Sequence, residues 1–348
     1  MNFPTTGFHH ITVCAGKAQE DIDFFTRVMG QRLIKQTILF DGRYAHYHLY
    51  YANGHIDPGT VMTTFPYSRV QGRPGSGQVQ SSVYTVKEGA LPFWVEHLDR
   101  SNVQHSGIRE RFGQRFIGFK HPAGLGLEVI EDPRETRAGT AVEGIGEAES
   151  ARGFHSATFS VREIAEDERF LVEALGFRKT GVDGKYHRFE VGKGGPGCTV
   201  ELFHDADRLS GSRAFGAGTV HHVAFNVPND EDLKWQKGYY EELGYTDVSE
   251  VKDRNYFHSI YVRAPGGVLV ECAATAPGGF VKDEAYNELG THLLLPAWFE
   301  ERRDEIMAML EPIRVPEWHP KVVVDAQRPI ASHRKPVFIR EEVGAGVS

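Results

Sequence analysis

Short runs of alternating apolar and polar residues recur along the chain. Each is followed by a stretch with helical spacing and then by more strand-like runs. The first series opens with FHHITV at 8–13. Behind it Ile22, Phe25 and Met29 fall on one helical face, and YAHYHLYYA and GTVMTTF follow as strands. The second opens with QSSVYTV, places Leu91, Val95 and Leu98 along a helix, and ends in RFIGFKHPAGLGLEVIED. The third runs from GFHSATFSV through the helix DERFLVEALG to CTVELFH. The fourth runs from VHHVAFNV through EDLKWQKGYYEELG to FHSIYVRAPGGVLVECAA. Three of the helices stop at a glycine (Gly30, Gly176, Gly244), the residue that most easily takes a left-handed C-cap. Two terminal hairpins also match position by position: Pro122, Gly124 and Glu128 recur as Pro265, Gly267 and Glu271.

This pattern predicts an α+β fold of four βαβββ modules, each of about 55 to 65 residues. One module leaves a concave open sheet that must be buried against another, so four imply two paired, half-open barrels. The expected organisation is an N-terminal pair of modules at 1–140, a C-terminal pair at 150–280, and a helix with an extended tail at 281–348. In that last block LPAWFEERRDEIMAML reads as one helix, and the proline-punctuated remainder as a tail.

Composition narrows the function. The 348 residues carry a net charge of -8 without a basic block, which argues against nucleic acid or an anionic membrane as partner. The N-terminus lacks the basic and apolar regions of a secretory signal, and no segment reaches the roughly 18 to 20 apolar residues of a bilayer span. Cys14, Cys198 and Cys272 are odd in number and sit in apolar strands, so they read as buried thiols of a cytoplasmic protein.

The chemistry lies at two inward positions per module, one on its first strand and one on its last. First strands offer His10, no histidine, His155 and His222. Last strands offer no carboxylate, Glu128, Glu201 and Glu271. A glutamate on an apolar strand such as GVLVECA is costly to bury unless it is paired or metal-bound. Pairing modules three and four would gather His155, Glu201, His222 and Glu271. Pairing one and four would gather His10, His222 and Glu271, a facial triad suited to non-haem Fe(II) with open positions opposite, although the donor set alone would also accept Mn, Co or Zn. The HH doublet occurs only in FHHITV and VHHVAF, which favours the second pairing. His155, Glu128 and Glu201 then belong to the other cup, as structural or vestigial residues.

These residues resemble the vicinal-oxygen-chelate superfamily over roughly 7–275, and more narrowly its extradiol ring-cleaving dioxygenases (the glyoxalase/extradiol dioxygenase-like fold). The stretch from Ile260 and Tyr261 through Pro265 and Gly267 to Glu271 is similar to the signature around their last metal ligand. Catechol-cleaving members carry a histidine some seven to nine residues before that tyrosine. Here Lys252, Asp253 and Arg254 stand there, and Arg254 resembles the variant of the hydroquinone and chlorohydroquinone dioxygenases. FHHITVCAG, PGTVMTTFP and RFGQRFIGFKHP are similar to the same group, and LLLPAWFEERRDEI to bacterial dioxygenases of quinone detoxification. The resemblance implies Fe(2+) on His10, His222 and Glu271, with Tyr261, Arg254, His221, Thr12 and His9 in or beside the site. It implies a small aromatic diol and O2 as reactants. Strict strand alternation would aim His221 away from His222, so its role requires a twist or bulge. Tyr44, Tyr47, Tyr256 and Phe257 are candidate pocket aromatics. Exposed sheet edges point to a homo-oligomer. The competing readings are a catechol dioxygenase using His155, a Zn or Ni lyase or isomerase of glyoxalase type on the four-ligand set, and a metal-free binding protein.

Overall fold

The computed structural model describes residues 3–40, 44–67, 69–212 and 214–317. Each module starts on a buried strand: β1 (Phe8–Ala15), β5 (Gln78–Val86), β9 (Gly153–Val161) and β13 (Thr219–Asn226). Three more strands follow the helix of each module. They are β2 (Arg32–Phe40), β3 (Ala45–Ala52) and β4 (Val61–Pro66); β6 (His105–Arg111), β7 (Gln114–Lys120) and β8 (Gly126–Glu131). The later modules add β10 (Arg178–Asp183), β11 (Tyr186–Glu190) and β12 (Thr199–His204), then β14 (Lys252–Asp253), β15 (Phe257–Arg263) and β16 (Leu269–Thr275).

The strands form two eight-stranded sheets, ordered β14-β15-β16-β13-β1-β4-β3-β2 and β10-β11-β12-β9-β5-β8-β7-β6. Modules one and four therefore build one sheet, and modules two and three the other. The seams are β1 against β13 and β5 against β9, both antiparallel. Each sheet thus takes one module from either side of the 140–150 region. A single large apolar cluster draws on all four modules, from Phe8 and Phe25 through Trp94 and Phe159 to Tyr240 and Val270.

The helices hold two departures from simple periodicity. In modules one and three the α-helices α1 (Ala18–Asp23) and α3 (Ala165–Arg169) each run into a π-helical turn, Phe24–Val28 and Phe170–Ala174. The extra residue per turn still buries Ile22, Phe25 and Met29 completely. Modules two and four carry α2 (Leu91–Arg100) and α4 (Asp230–Glu242), the latter capped by Asn229, whose side chain accepts from the Glu231 and Asp232 amides. Gly30, Gly176 and Gly244 all hold positive φ, as their place after a helix requires.

The C-terminal helix departs from expectation. A 3-10 segment, Ala297–Arg302, precedes α5 (Arg303–Met309) in place of one continuous helix. Ion pairs spaced i,i+3, Arg303 with Glu300 and Arg302 with Glu305, fit that tighter winding. The tail from 318 onward lies outside the described residues. No helix among the described residues is long and apolar enough to cross a membrane.

Candidate metal centre

At the β1–β13 seam, His10 and His222 face one another, and Glu271 enters from β16 beside them. The His10 and His222 Nε2 atoms are 3.0 Å apart, and Glu271 Oε2 stands 2.8 Å from His222 Nε2 and 3.4 Å from His10 Nε2. Two ligands at about 2.1 Å from one ion and at right angles to each other stand roughly 3.0 Å apart. The three separations therefore fit three donors on one face of a single ion. Both Glu271 oxygens are buried without a hydrogen bond of acceptable angle, although two ring nitrogens lie close by. That is a costly state for a carboxylate without a cation. Among the described residues this is the cluster of histidine, cysteine and carboxylate donors close enough to share one ion. His155 does not join it.

The electrostatics suit metal binding. Burial opposes ionisation of Glu271, and the two imidazoles outweigh it, so its carboxyl lies well below the usual range. Burial holds the His222 imidazolium below its ordinary pKa, with Glu271 working the other way. An ionised carboxylate beside a neutral imidazole is the protonation state that metal ligands need.

The register of the seam explains the HH doublets. Phe8 pairs with Phe225 and His10 with Ala224, so His9 is an extra residue; Thr12 pairs with His222 and Val13 with Val220, so His221 is its counterpart. Both are β-bulge residues, which frees them from strict alternation. Each turns its Nδ1 onto the Nδ1 of the following triad histidine, at 2.8 Å in both cases. A proton on the ligand Nδ1 leaves its Nε2 lone pair aimed at the triad. His9 Nε2 lies 2.9 Å from Thr275 Oγ1, and the His221 ring stacks on Phe215 with centroids 3.7 Å apart. Burial, then His222, pushes the His221 pKa down to about 3.

The same register corrects the equivalence drawn for the second sheet. There Ser81 pairs with Thr158 and Val83 with Ser156, the places that His10 with Ala224 and Thr12 with His222 hold in the first. Serines thus stand where the triad has histidines. His155 is the bulge residue matching His221, hydrogen-bonded to Asp132 at 3.2 Å. Glu128 and Glu201 are neutralised by arginines: Arg111 reaches both, at 2.6 and 2.9 Å, and Arg188 holds Glu201 at 2.7 Å. That cup is filled by an ion-pair network.

Beside the triad lies a cavity of about 510 Å³, lined in part by Thr12, His221, Arg254 and Tyr261. Tyr256 and Phe257 also line it; Tyr47 bonds instead to the Glu311 carbonyl, and Tyr44 lies under Arg69. Arg254 Nε donates to the Tyr261 hydroxyl at 3.2 Å. Burial, then Glu271, raises the Tyr261 pKa, so the phenol keeps its proton. Thr63 on β4 occupies the place that Glu271 has on β16, and its hydroxyl lies 2.7 Å from that of Thr12. Behind them His48 Nε2 meets Thr63 Oγ1 at 3.1 Å and His48 Nδ1 meets the Tyr50 hydroxyl at 3.1 Å. Burial, reinforced by His10 and His222, keeps His48 neutral. His48 and Tyr50 escape sequence reasoning, because YHLYYA reads as an ordinary aromatic strand, and Thr63 does so because VMTTF offers no carboxylate or histidine.

No family model matches the chain. It is 40% identical over 312 residues to the chlorohydroquinone/hydroquinone 1,2-dioxygenase of Sphingobium indicum, covering 88% of this chain and 97% of that protein. It is 39% identical over 318 residues to the Bacillus subtilis protein named "Putative ring-cleaving dioxygenase MhqO", covering 90% and 98%. Among solved structures, a Bacillus subtilis "putative dioxygenase" superposes with a TM-score of 0.84 at 37% identity, over 91% of this chain and all of that one. Maize glyoxalase I shares the fold, with a TM-score of 0.56 at 14% identity over 77% and 92%.

Proposed function

The chain belongs to the ring-cleaving dioxygenases of the vicinal-oxygen-chelate superfamily, and from that premise we propose that it opens a hydroquinone-type ring with O2, using one ferrous ion held by His10, His222 and Glu271. The observation that carries this reading is the triad itself, with its three donors converged and a cavity of about 510 Å³ beside them. Two imidazoles and one carboxylate on one face suit non-haem Fe(II). Held by His10, His222 and Glu271, the ion would supply Lewis acidity toward a phenolic hydroxyl and the redox chemistry that dioxygen needs.

The protein's own groups divide the remaining work. His9 and His221 fix the tautomer and ring orientation of the two imidazole ligands. Tyr261, protonated and oriented by Arg254, is placed to donate to the substrate oxygen nearest the triad. Arg254, at the rim and always charged, balances the anionic form of the diol. Thr12 and Thr63 offer hydroxyls on the opposite wall, backed by His48 and Tyr50. A hydroquinone substrate is supported by Arg254 and by the Sphingobium relative. The same reading puts the protein in the cytoplasm as a homo-oligomer, for which the open edges of β6, β10 and β14 are the support.

Glu271→Ala and His222→Ala test the proposal. After anaerobic loading with Fe(II), the wild type should retain about one iron per chain and consume oxygen with hydroquinone. Each variant should lose the metal and at least about a hundredfold in rate, since each removes a direct ligand. A variant that keeps both iron and oxygen uptake would overturn the assignment.

A further inference from the structure

A cavity of about 150 Å³ lined by apolar side chains already accepts benzene. The space beside the triad is more than three times that, at about 510 Å³. Its lining is mixed, with Thr37, Asp253, Asn255 and Asp283 among the polar residues. Thr12, Thr63, Arg254 and Tyr261 surround the triad side, whereas Leu39 from β2 and Leu294, Leu295, Pro296 and Trp298 from the C-terminal segment form an apolar wall.

That segment is built into the sheet. Leu293 forms a parallel bridge with Gln36, the Leu294 amide donates to the Gln36 carbonyl at 2.9 Å, and the Gln36 side chain donates to the Gly290 carbonyl at 2.7 Å. Behind it Ile306 of α5 is fully buried against Ile38 and Ala45. The wall is therefore a fixed part of the cup. Its cavity-facing residues are nevertheless incompletely covered: Leu39, Leu294, Leu295 and Pro296 are half-buried, and Trp298 is 58% exposed. Apolar side chains that line a cavity and keep part of their surface uncovered suit an apolar group of the ligand.

We propose that residues 294–298 together with Leu39 form a subsite for a bulky apolar substituent on the ring, so that the preferred substrates are hydroquinones bearing an alkyl or aryl group of several carbons. This rests on the ring-cleavage reading for the identity of the ring, and on the cavity alone for the substituent. Each methylene buried against such a wall is worth about fourfold in affinity.

The test is isothermal titration of the Fe(II)-loaded protein under nitrogen with hydroquinone and with tert-butylhydroquinone. The alkylated diol should bind at least tenfold more tightly. Trp298→Ser and Leu295→Asp should each shrink that ratio toward one. A wild-type ratio at or below one overturns the subsite, as does a ratio unchanged in both variants or failure of tert-butylhydroquinone to bind. Oxygen uptake with hydroquinone in the same preparation separates the two ideas. Preference for the alkylated diol without any oxygen uptake would sink the ring-cleavage reading and leave the subsite standing.

Discussion

His9 and His221 stand behind the proposed metal ligands without belonging to the donor set. Each lies 2.8 Å, Nδ1 to Nδ1, from a triad histidine, and each sits at a bulge that its strand would otherwise lack. Removing such an outer partner typically costs about 10- to 100-fold in metal affinity. His9→Ala and His221→Ala should fall in that range when Fe(II) affinity is measured by chelator competition, with the fold intact by circular dichroism. His9→Asn, whose amide oxygen can accept in place of Nδ1, should recover part of the loss. Wild-type affinity in both alanine variants would rule out the positioning role. The doublets themselves were readable in the sequence, as were Glu271 and the tyrosine ten residues before it. The contacts of His9 and His221 with the triad imidazoles were not. They depend on one extra residue per strand, and a period-two pattern carries no mark of where a bulge falls. For the same reason strict alternation puts His155 one position out of register, and nothing local distinguishes Thr63 from Thr64.

At the level of elements, the repeat of strand, helix and glycine stop was plain, because burial of one helical face and a left-handed cap both act within a few residues. What joins one module to another is less local. Asp167 on α3 is 2% exposed and accepts the amide of Gly266, in the β15–β16 hairpin of the next module, at 3.0 Å. Burial raises its carboxyl pKa to about 6. The folded protein therefore keeps a proton that the unfolded chain, with an ordinary value of about 3.9, gives up between roughly pH 4 and 6. More protons are bound in the native state, so this group lowers stability as pH rises through that window, by up to about 3 kcal/mol at neutral pH. Asp167→Asn keeps an acceptor for Gly266 and removes the charge. Thermal melts should show it stabilised by about 1–3 kcal/mol at pH 7.5 and near wild type at pH 4. Equal stabilisation at both values would mean that the ionisation of Asp167 is not the cause. The 3-10 winding ahead of α5 likewise has a tertiary setting: LPAWFEERRDEIMAML has helical composition throughout, but Leu293 and Leu294 just before it are bound to Gln36 of β2.

Across the whole molecule, the triad joins residues 10, 222 and 271, the two ends of the four-module body. Modules two and three, lying between them in sequence, form a sheet of their own, closed by Arg111, Arg188, Glu128 and Glu201. The site therefore exists only when the first module returns to the fourth, and the shared apolar cluster makes each sheet dependent on the other. A break between Glu143 and Gly144, both exposed in the turn that Val142 and Ile145 close, separates the chain into halves that each contain half of both sheets. Residues 1–143 alone would keep β4 beside β1 and β8 beside β5 but leave the seam edge of each strand unpaired, and should aggregate. Residues 144–348 would keep His222 and Glu271 but lack His10, and should hold Fe(II) weakly. Produced together, the halves should elute as one complex with about one iron per pair, because the break removes no seam contact. Size-exclusion chromatography with metal analysis decides the matter: a monodisperse 1–143 fragment, or full iron occupancy in 144–348 alone, would show that the two ends of the chain do not need each other to make the site.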